Sequence, residues 1–297
     1  MKKVHIFTHN DLDGAGSYLV TKWYHPSYSF THTAVPTANA MRECIIEWLS
    51  NNSFDDYDKI YVLDLDCYGA KDLIDRENVI VIDHHKTHAD SIQQEPYKYA
   101  KSIVKEYTSA TLLLHHLFSK AYPDIELSKK QSLLIEICDD FDTYTLANKY
   151  SLVLNWVFYT YNDRFNSFVK RYSLGFDGFK PNELSMIKIK KNELNKIINS
   201  LDIFTGKIKE YKIACVMASS CINEVHSHLL DNYEIDISIV IMPTSERVSW
   251  RKQKDCDAPL HRIAEKICDG GGHEYAAGGK ITDTFLTISK AFHNDNG

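Results

Sequence analysis

Three apolar runs early in the chain end alike, and this constrains the fold more than any other feature. Residues 4–7 lead into His9, Asp11 and Asp13, KIYVLD stops at Asp64 with Asp66 beyond, and NVIVID stops at Asp83, followed by His84 and His85. The last two runs are apolar at successive rather than alternate positions, which suits strands covered on both faces. Helical patterns over about 16–24 and 38–50 lie between them. Strand–helix–strand alternation reads as βαβ units on a mainly parallel sheet, an α/β fold. Ligands of such sheets bind beyond the carboxyl ends of the strands, where these polar residues fall.

Two further helices are expected over about 109–121 and 128–138, with Ser128 as an N-cap. The second opens into DDFDTY, which offers Asp139, Asp140 and Asp142. Each acid has an ordinary explanation when taken alone: Asp13-Gly14 suits a turn, and Asp11 suits a helix cap. Clusters at three strand ends do not reduce to that, because carboxylates sharing one crevice raise one another's pKa unless a cation neutralises them. Mixed imidazole and carboxylate donors suit Mn²⁺ or related divalent ions better than a structural zinc, which favours cysteine. A carboxylate shared by two ions about 4 Å apart forms the clamp used in hydrolytic phosphoryl chemistry.

Beyond residue 155 the chain turns aromatic and then lysine-rich. Trp156, Phe158, Tyr159 and Tyr161 recur at helical spacing and are expected in the core rather than stacked on bases. SMIKIKKNELNKIINSL reads as a connecting helix with a solvated basic face. A second alternating region follows: YKIACVMAS, a helix over 222–232, IDISIVIMP, RVSWRK, a helix over 259–267, and GGGHEYAAGG. The expected organisation is a metal-binding domain over 1–175, a helical linker over 176–206 and a smaller α/β domain over 207–297. Glycines 270–272 would let backbone N–H groups approach an anion, with His273 and Arg251 able to touch a phosphate, although a glycine-rich turn is the ordinary meaning of such a string.

The 297 residues allow two modest cores, and 44% hydrophobic with 25% charged residues is a globular composition. A net charge of −6 argues against a sequence-independent grip on long nucleic acid, which needs a basic surface. The apolar run at the start is broken by His5, so neither a secretory signal nor a membrane span is expected, and the location is read as cytoplasmic. Seven cysteines without a C-x-x-C pair fit reduced thiols, and Cys138 reads as a packed thiol rather than a nucleophile.

In this order, HNDLDGAGS, VLDLD, VIDHHKTH and DGGGHEYAAGG resemble the DHH phosphoesterase superfamily over nearly the whole chain. The combination is most similar to the small bacterial oligoribonucleases, the nanoRNases, with an N-terminal DHH domain and a C-terminal DHH-associated domain. The resemblance implies two Mn²⁺ ions, with Mg²⁺ or Co²⁺ as substitutes. One would be held by His9, Asp11 and Asp64. The other would be held by Asp13, Asp64, His84 and a fourth-motif aspartate, Asp142, with Asp139 and Asp140 as rival neighbours. Asp83 would orient a histidine, His85 would face the phosphate, and His273, Arg251, Gly271 and Gly272 would bind the substrate. The implied reaction is hydrolysis of short RNA or DNA oligonucleotides or dinucleotides to nucleoside 5′-monophosphates. The rivals are a RecJ-like single-strand DNA exonuclease, a cyclic or linear dinucleotide phosphodiesterase, an inorganic pyrophosphatase, and a nucleotide-binding sensor without catalysis. A membrane partner is not expected, and a homodimer is compatible with the sequence.

Overall fold

The early apolar runs become the central strands of a five-stranded sheet. The computed structural model describes residues 2–106, 108–272 and 275–289. The chain divides into two units, Met1–Ile187 and Lys188–Gly297. The first runs β1 (Lys3–His9), α1 (Leu12–Tyr24), β2 (Ser29–Val35), α2 (Met41–Leu49), β3 (Lys59–Leu63), α3 (Lys71–Ile74), β4 (Val79–Asp83), α4 (Lys86–Gln94), β5 (Lys101–Val104), α5 (Ala110–Ala121), α6 (Lys129–Asp142), α7 (Ser151–Thr160), α8 (Arg164–Arg171) and the start of α9 (Pro181–Asn199).

The strand order is β2-β1-β3-β4-β5, and every pairing is parallel. From β1 the chain crosses to β2 on one side and then to β3 on the other. The carboxyl ends of β1 and β3 therefore flank the topological switch point, where a crevice opens. Successive apolar residues serve opposite faces: Tyr61 and Leu63 join a core with α1, α5, α6 and α8, while Ile60 and Val62 join one with α2. Each fully buried aliphatic side chain of this kind contributes about 1.5–3 kcal/mol.

Helix α1 begins at Leu12 rather than near residue 16, with the Asp11 side chain accepting the Gly14 N–H as N-cap. Gly14 and Gly16 lie inside this helix, and neither has a positive φ, so Asp13-Gly14 is not the turn the sequence suggests. A Cβ at Gly14 would lie 2.1 Å from the His9 carbonyl oxygen, and one at Gly16 would lie 2.5 Å from Thr111 Oγ1 and 3.0 Å from Cys138 Sγ. Their absent side chains let α1 press against the end of β1 and against α5 and α6. Helix α6 has the expected Ser128 cap, in a capping box with Gln131, but it continues to Asp142.

His5, 2% exposed, lies between Thr31 Oγ1 at 2.8 Å and Thr33 Oγ1 at 3.1 Å. Burial, reinforced by His32, pulls its pKa down to about 3. The unfolded chain takes up this proton near pH 6.5 and the folded one does not, so His5 lowers stability as pH falls from about 6.5 towards 3. The expected cost between pH 6.5 and 5 is about 2 kcal/mol. Urea unfolding across that range should show the slope, and His5→Gln should flatten it.

The second unit continues from α9 through β6 (Phe204–Ile208), β7 (Tyr211–Met217), α10 (Ile222–Asn232), β8 (Ile237–Met242), β9 (Arg247–Lys252), α11 (Leu260–Cys268), β10 (Gly271–Gly272), β11 (Ala276–Lys280) and α12 (Asp283–Ser289). Its sheet has the order β10-β11-β9-β8-β7-β6; β7 and β8 pair in parallel and the other strands antiparallel. Val225 and Leu229 of α10 pack on one face, and Leu260, Ala264 and Phe285 of α11 and α12 on the other. Phe176 and Phe179 pack into the first unit's core, and β6 begins at Phe204, so both ends of the segment read as a linker are structured parts of the units. No helix among the described residues is long and apolar enough to cross a membrane.

Candidate metal centre

The polar residues after β1, β3 and β4 converge at the switch point. His9 closes β1, and its Nδ1 lies 2.6 Å from Asp11 Oδ2 and 4.0 Å from Asp64 Oδ2. Asp11 is thus a helix cap and a neighbour of His9 at once. Asp13, one turn into α1, is buried and accepts the Ala110 N–H at 2.8 Å and the Thr111 N–H at 2.9 Å. The first turn of α5 therefore fixes both of its oxygens.

Asp64 is the centre of the arrangement. It follows β3 with φ +54°, a left-handed conformation that costs an ordinary residue about 1–2 kcal/mol. It is 2% exposed, and among the described residues its Oδ2 has no hydrogen-bond partner. His84 Nε2 stands 3.2 Å from Asp64 Oδ1, 3.6 Å from Asp142 Oδ2 and 3.9 Å from Asp13 Oδ2.

The three acids at the end of α6 take different partners. Asp139 accepts Thr108 Oγ1–H and the Ser109 N–H. Asp140 accepts the N–H groups of Ala147 and Asn148 and the Ser151 hydroxyl. Asp142 is the one beside His84. Asp66 binds outward, accepting the Tyr68 N–H and the Thr87 hydroxyl.

Asp83 is fully buried. Its Oδ1 accepts the His84 N–H at 2.8 Å and His85 Nδ1–H at 2.7 Å, and its Oδ2 accepts His88 Nδ1–H at 2.7 Å. His88 Nε2 then takes the Tyr97 hydroxyl at 3.0 Å. The sequence pattern does not mark His88 or Tyr97; the signal for His88 is its position four residues after His84, closing the string VIDHHKTH. Burial opposes ionisation of Asp83, but the two imidazoles hold its carboxyl well below the usual range. His85 is pushed the other way: burial lowers its pKa, yet the Asp83 hydrogen bond and the charges of Asp83, Asp13 and Asp11 raise it above its ordinary value.

Burial, and then the charges of Asp13, Asp11, Asp142 and Asp83, push the Asp64 carboxyl well up. Asp142 shifts likewise, through burial and then Asp13, Asp11, Asp139 and Asp83. Among the described residues three sets of side chains can each hold a cation, with ligand atoms within 4.8 Å of one another: His9, Asp11 and Asp64; Asp13, His84 and Asp142; and Asp64, Asp83, His84 and His85. The orphaned Asp64 Oδ2 and the mutual repulsion of the acids fit divalent cations, since a cation satisfies both. Cys138 is buried, and burial followed by the nearby carboxylates pushes its thiol up, so it is a packed thiol.

In the second unit, Arg251 lies on β9 opposite Ala276 and donates to the Trp250 carbonyl and to Asn223 Oδ1. A Cβ at Gly270 or Gly272 would collide with the backbone of β11, which accounts for two of the three glycines by strand packing. Gly271 is exposed, and no atom of the described residues lies within 4 Å of where a Cβ would stand. His273 lies outside the described residues.

No family model matches the chain. Over 317 aligned residues it is 26% identical to the oligoribonuclease NrnB of Bacillus subtilis, covering 98% of this chain and 76% of that protein. Its fold is that of the DHH domain of a protein assigned to a family of ribosomal proteins, with a TM-score of 0.65, 12% identity, and 99% and 86% of the two chains covered. It is also that of the pGpG-specific phosphodiesterase PggH of Vibrio cholerae, with a TM-score of 0.59, 11% identity, and 98% and 97% covered.

Proposed function

We propose that this chain, a member of the DHH phosphoesterase superfamily, is a metal-dependent phosphodiesterase that hydrolyses short oligonucleotides to nucleoside 5′-monophosphates. The observation that carries the reading is Asp64, buried with an oxygen that has no hydrogen-bond partner among the described residues and flanked by the imidazoles of His9 and His84. His9, Asp11 and Asp64 would hold one ion, and Asp13, Asp64, His84 and Asp142 the other. Mn²⁺ suits this mixed donor set, and Mg²⁺ or Co²⁺ are the substitutes. When bound, the ions supply a nucleophile at neutral pH and neutralise charge on the phosphate.

The chain's own residues do the rest. Asp83 holds His85 by its Nδ1 and favours the imidazolium, so that Nε2 can donate to a phosphate oxygen. Asp13, clamped by α5, keeps its carboxylate oriented. His273, Arg251, Gly271 and Gly272 of the second unit would bind a substrate phosphate. The net charge of −6 favours short substrates, because few phosphates then need neutralising.

The test is a length series. RNA and DNA from dinucleotides to pentanucleotides, pGpG, and a single strand of about twenty-four nucleotides are incubated with the protein in Mn²⁺ or in EDTA. Short RNAs should be converted to mononucleotides, the long strand should be cleaved at least about tenfold more slowly, and EDTA should stop the reaction. Equal rates on long single-stranded DNA would replace this reading with an exonuclease. Tight dinucleotide binding in Mn²⁺ without turnover would replace it with a sensor.

A further inference from the structure

The four aromatics at helical spacing in α7 and just beyond do not share one fate. Phe158 is fully buried and Trp156 nearly so, and Tyr161 donates its hydroxyl to the buried Glu183. Tyr159 is 53% exposed. Its ring is held by the edge of Phe158, with centroids 5.4 Å apart at 81°, and by the Arg164 guanidinium, 4.9 Å from its centroid.

Arg164 ties this pair to the metal centre. Its Nε donates to Asn10 Oδ1 at 3.1 Å, and Asn10 stands between His9 and Asp11, its own N–H bound to the Val35 carbonyl at 2.9 Å. Among the described residues no carboxylate forms an ion pair with Arg164. Burial and then the charge of Asp11 raise the Tyr159 phenol above its ordinary pKa, which agrees with that closeness. A surface Tyr–Arg contact is often mere packing. Here it joins a more than half-exposed ring, a planar cation without a carboxylate partner, and a direct hydrogen bond into the loop that carries two candidate ligands.

We propose that Tyr159 and Arg164 form a nucleoside-binding subsite beside the metal centre, where a base of the substrate stacks on the ring and guanidinium. Every base has a π face, so such a platform binds without regard to sequence. Arg164 adds a planar cation that stacks on bases in its own right. A single platform holds one nucleoside next to the scissile phosphate, as a substrate of a few nucleotides requires. The inference rests on the phosphodiesterase reading above.

The experiment uses the full chain with Mn²⁺, the dinucleotide pApA, and an abasic dinucleotide of the same backbone. Tyr159→Ala should raise KM for pApA about tenfold to a hundredfold, the range for losing one base stack. It should leave kcat within about twofold and hydrolysis of the abasic substrate unchanged, and Tyr159→Trp should restore KM. Arg164→Ala should act in the same direction, with Arg164→Lys recovering only part of the loss, because the ammonium lacks the plane. If Tyr159→Ala leaves KM for pApA unchanged, or impairs both substrates equally, the subsite is wrong. If the wild-type protein hydrolyses neither substrate, the phosphodiesterase reading has failed instead. The subsite is then decided by fluorescence of a 2-aminopurine dinucleotide in Mn²⁺: quenching by wild type that Tyr159→Ala abolishes supports it, and absence of quenching overturns it.

Discussion

Asp64→Asn is expected to lower kcat/KM on short oligonucleotides by about a thousandfold or more, beyond the roughly 10–100-fold typical when only an outer partner of a metal ligand is lost. Asp64 shares one set of candidate ligands with His9 and Asp11 and another with Asp83, His84 and His85, and its Oδ1 lies 3.2 Å from His84 Nε2, so its loss should weaken both proposed ion sites together. Asparagine is the informative replacement because it tolerates the left-handed φ of +54° that position 64 requires, whereas alanine would add strain. His84→Ala should show a loss of the same order. In the folded chain burial and the charges of Asp13, Asp11, Asp142 and Asp83 disfavour the ionised Asp64 carboxyl, and a neutral amide removes that cost. In EDTA the Asp64→Asn protein should therefore melt no lower than wild type, while Mn²⁺ raises the melting temperature of wild type and not of the variant. Full activity in both variants would end the two-ion assignment, and a collapsed melting temperature in EDTA would mean that the carboxylate serves the fold instead.

Asp83→Asn should cost about 10–100-fold in activity and shift the Mn²⁺ dependence to higher concentration. The carboxylate accepts from His84, His85 and His88 at once. An amide offers one oxygen and turns two N–H donors towards an imidazole N–H, so His85 or His88 loses its partner. His88 is completely buried, and leaving it mispaired should cost a further 1–3 kcal/mol or so of stability. Tyr97→Phe is the control: it removes only the hydroxyl that His88 Nε2 accepts, and should cost about 1 kcal/mol with a smaller loss of activity. A Mn²⁺ titration of initial rates for both variants separates positioning from folding. Wild-type Mn²⁺ dependence in Asp83→Asn would remove the orienting role.

The strands that were legible and those that were not divide by place in the sheet. β1, β3 and β4 are buried on both faces, so their apolar runs announced them. β2 and β5 are the edges of that sheet, only partly buried, and their polar residues hid the strand pattern. In the second sheet β6 and β10 are also edges. β11 is interior but carries Gly278 and Gly279, where a Cβ would strike Val248 and Cys268, so it lacked the β-branched residues that mark a strand. Helix caps were local enough to read at Ser128 and Asp11, because one side chain meets a backbone group three residues away. The end of α6 was not legible, since nothing in DDFDTY stops a helix at Cys138.

By itself, the sequence determined that acids and histidines would meet at one end of a parallel sheet. Strand direction follows from βαβ connectivity, and strand ends follow from where the apolar runs stop. Only the tertiary structure gave chemically equivalent acids different surroundings. Asp139, Asp140 and Asp142 stand within four positions of one another, and no rule of composition separates them. The chain around 108–109 brings donors to Asp139, and that around 147–151 brings donors to Asp140. Those hydrogen bonds commit the first two to holding loops and leave Asp142 facing His84. The same holds for Tyr159, an aromatic residue like its buried neighbours Trp156 and Phe158: packing, which depends on what lies opposite each face of α7, covered Phe158 and left Tyr159 exposed beside Arg164.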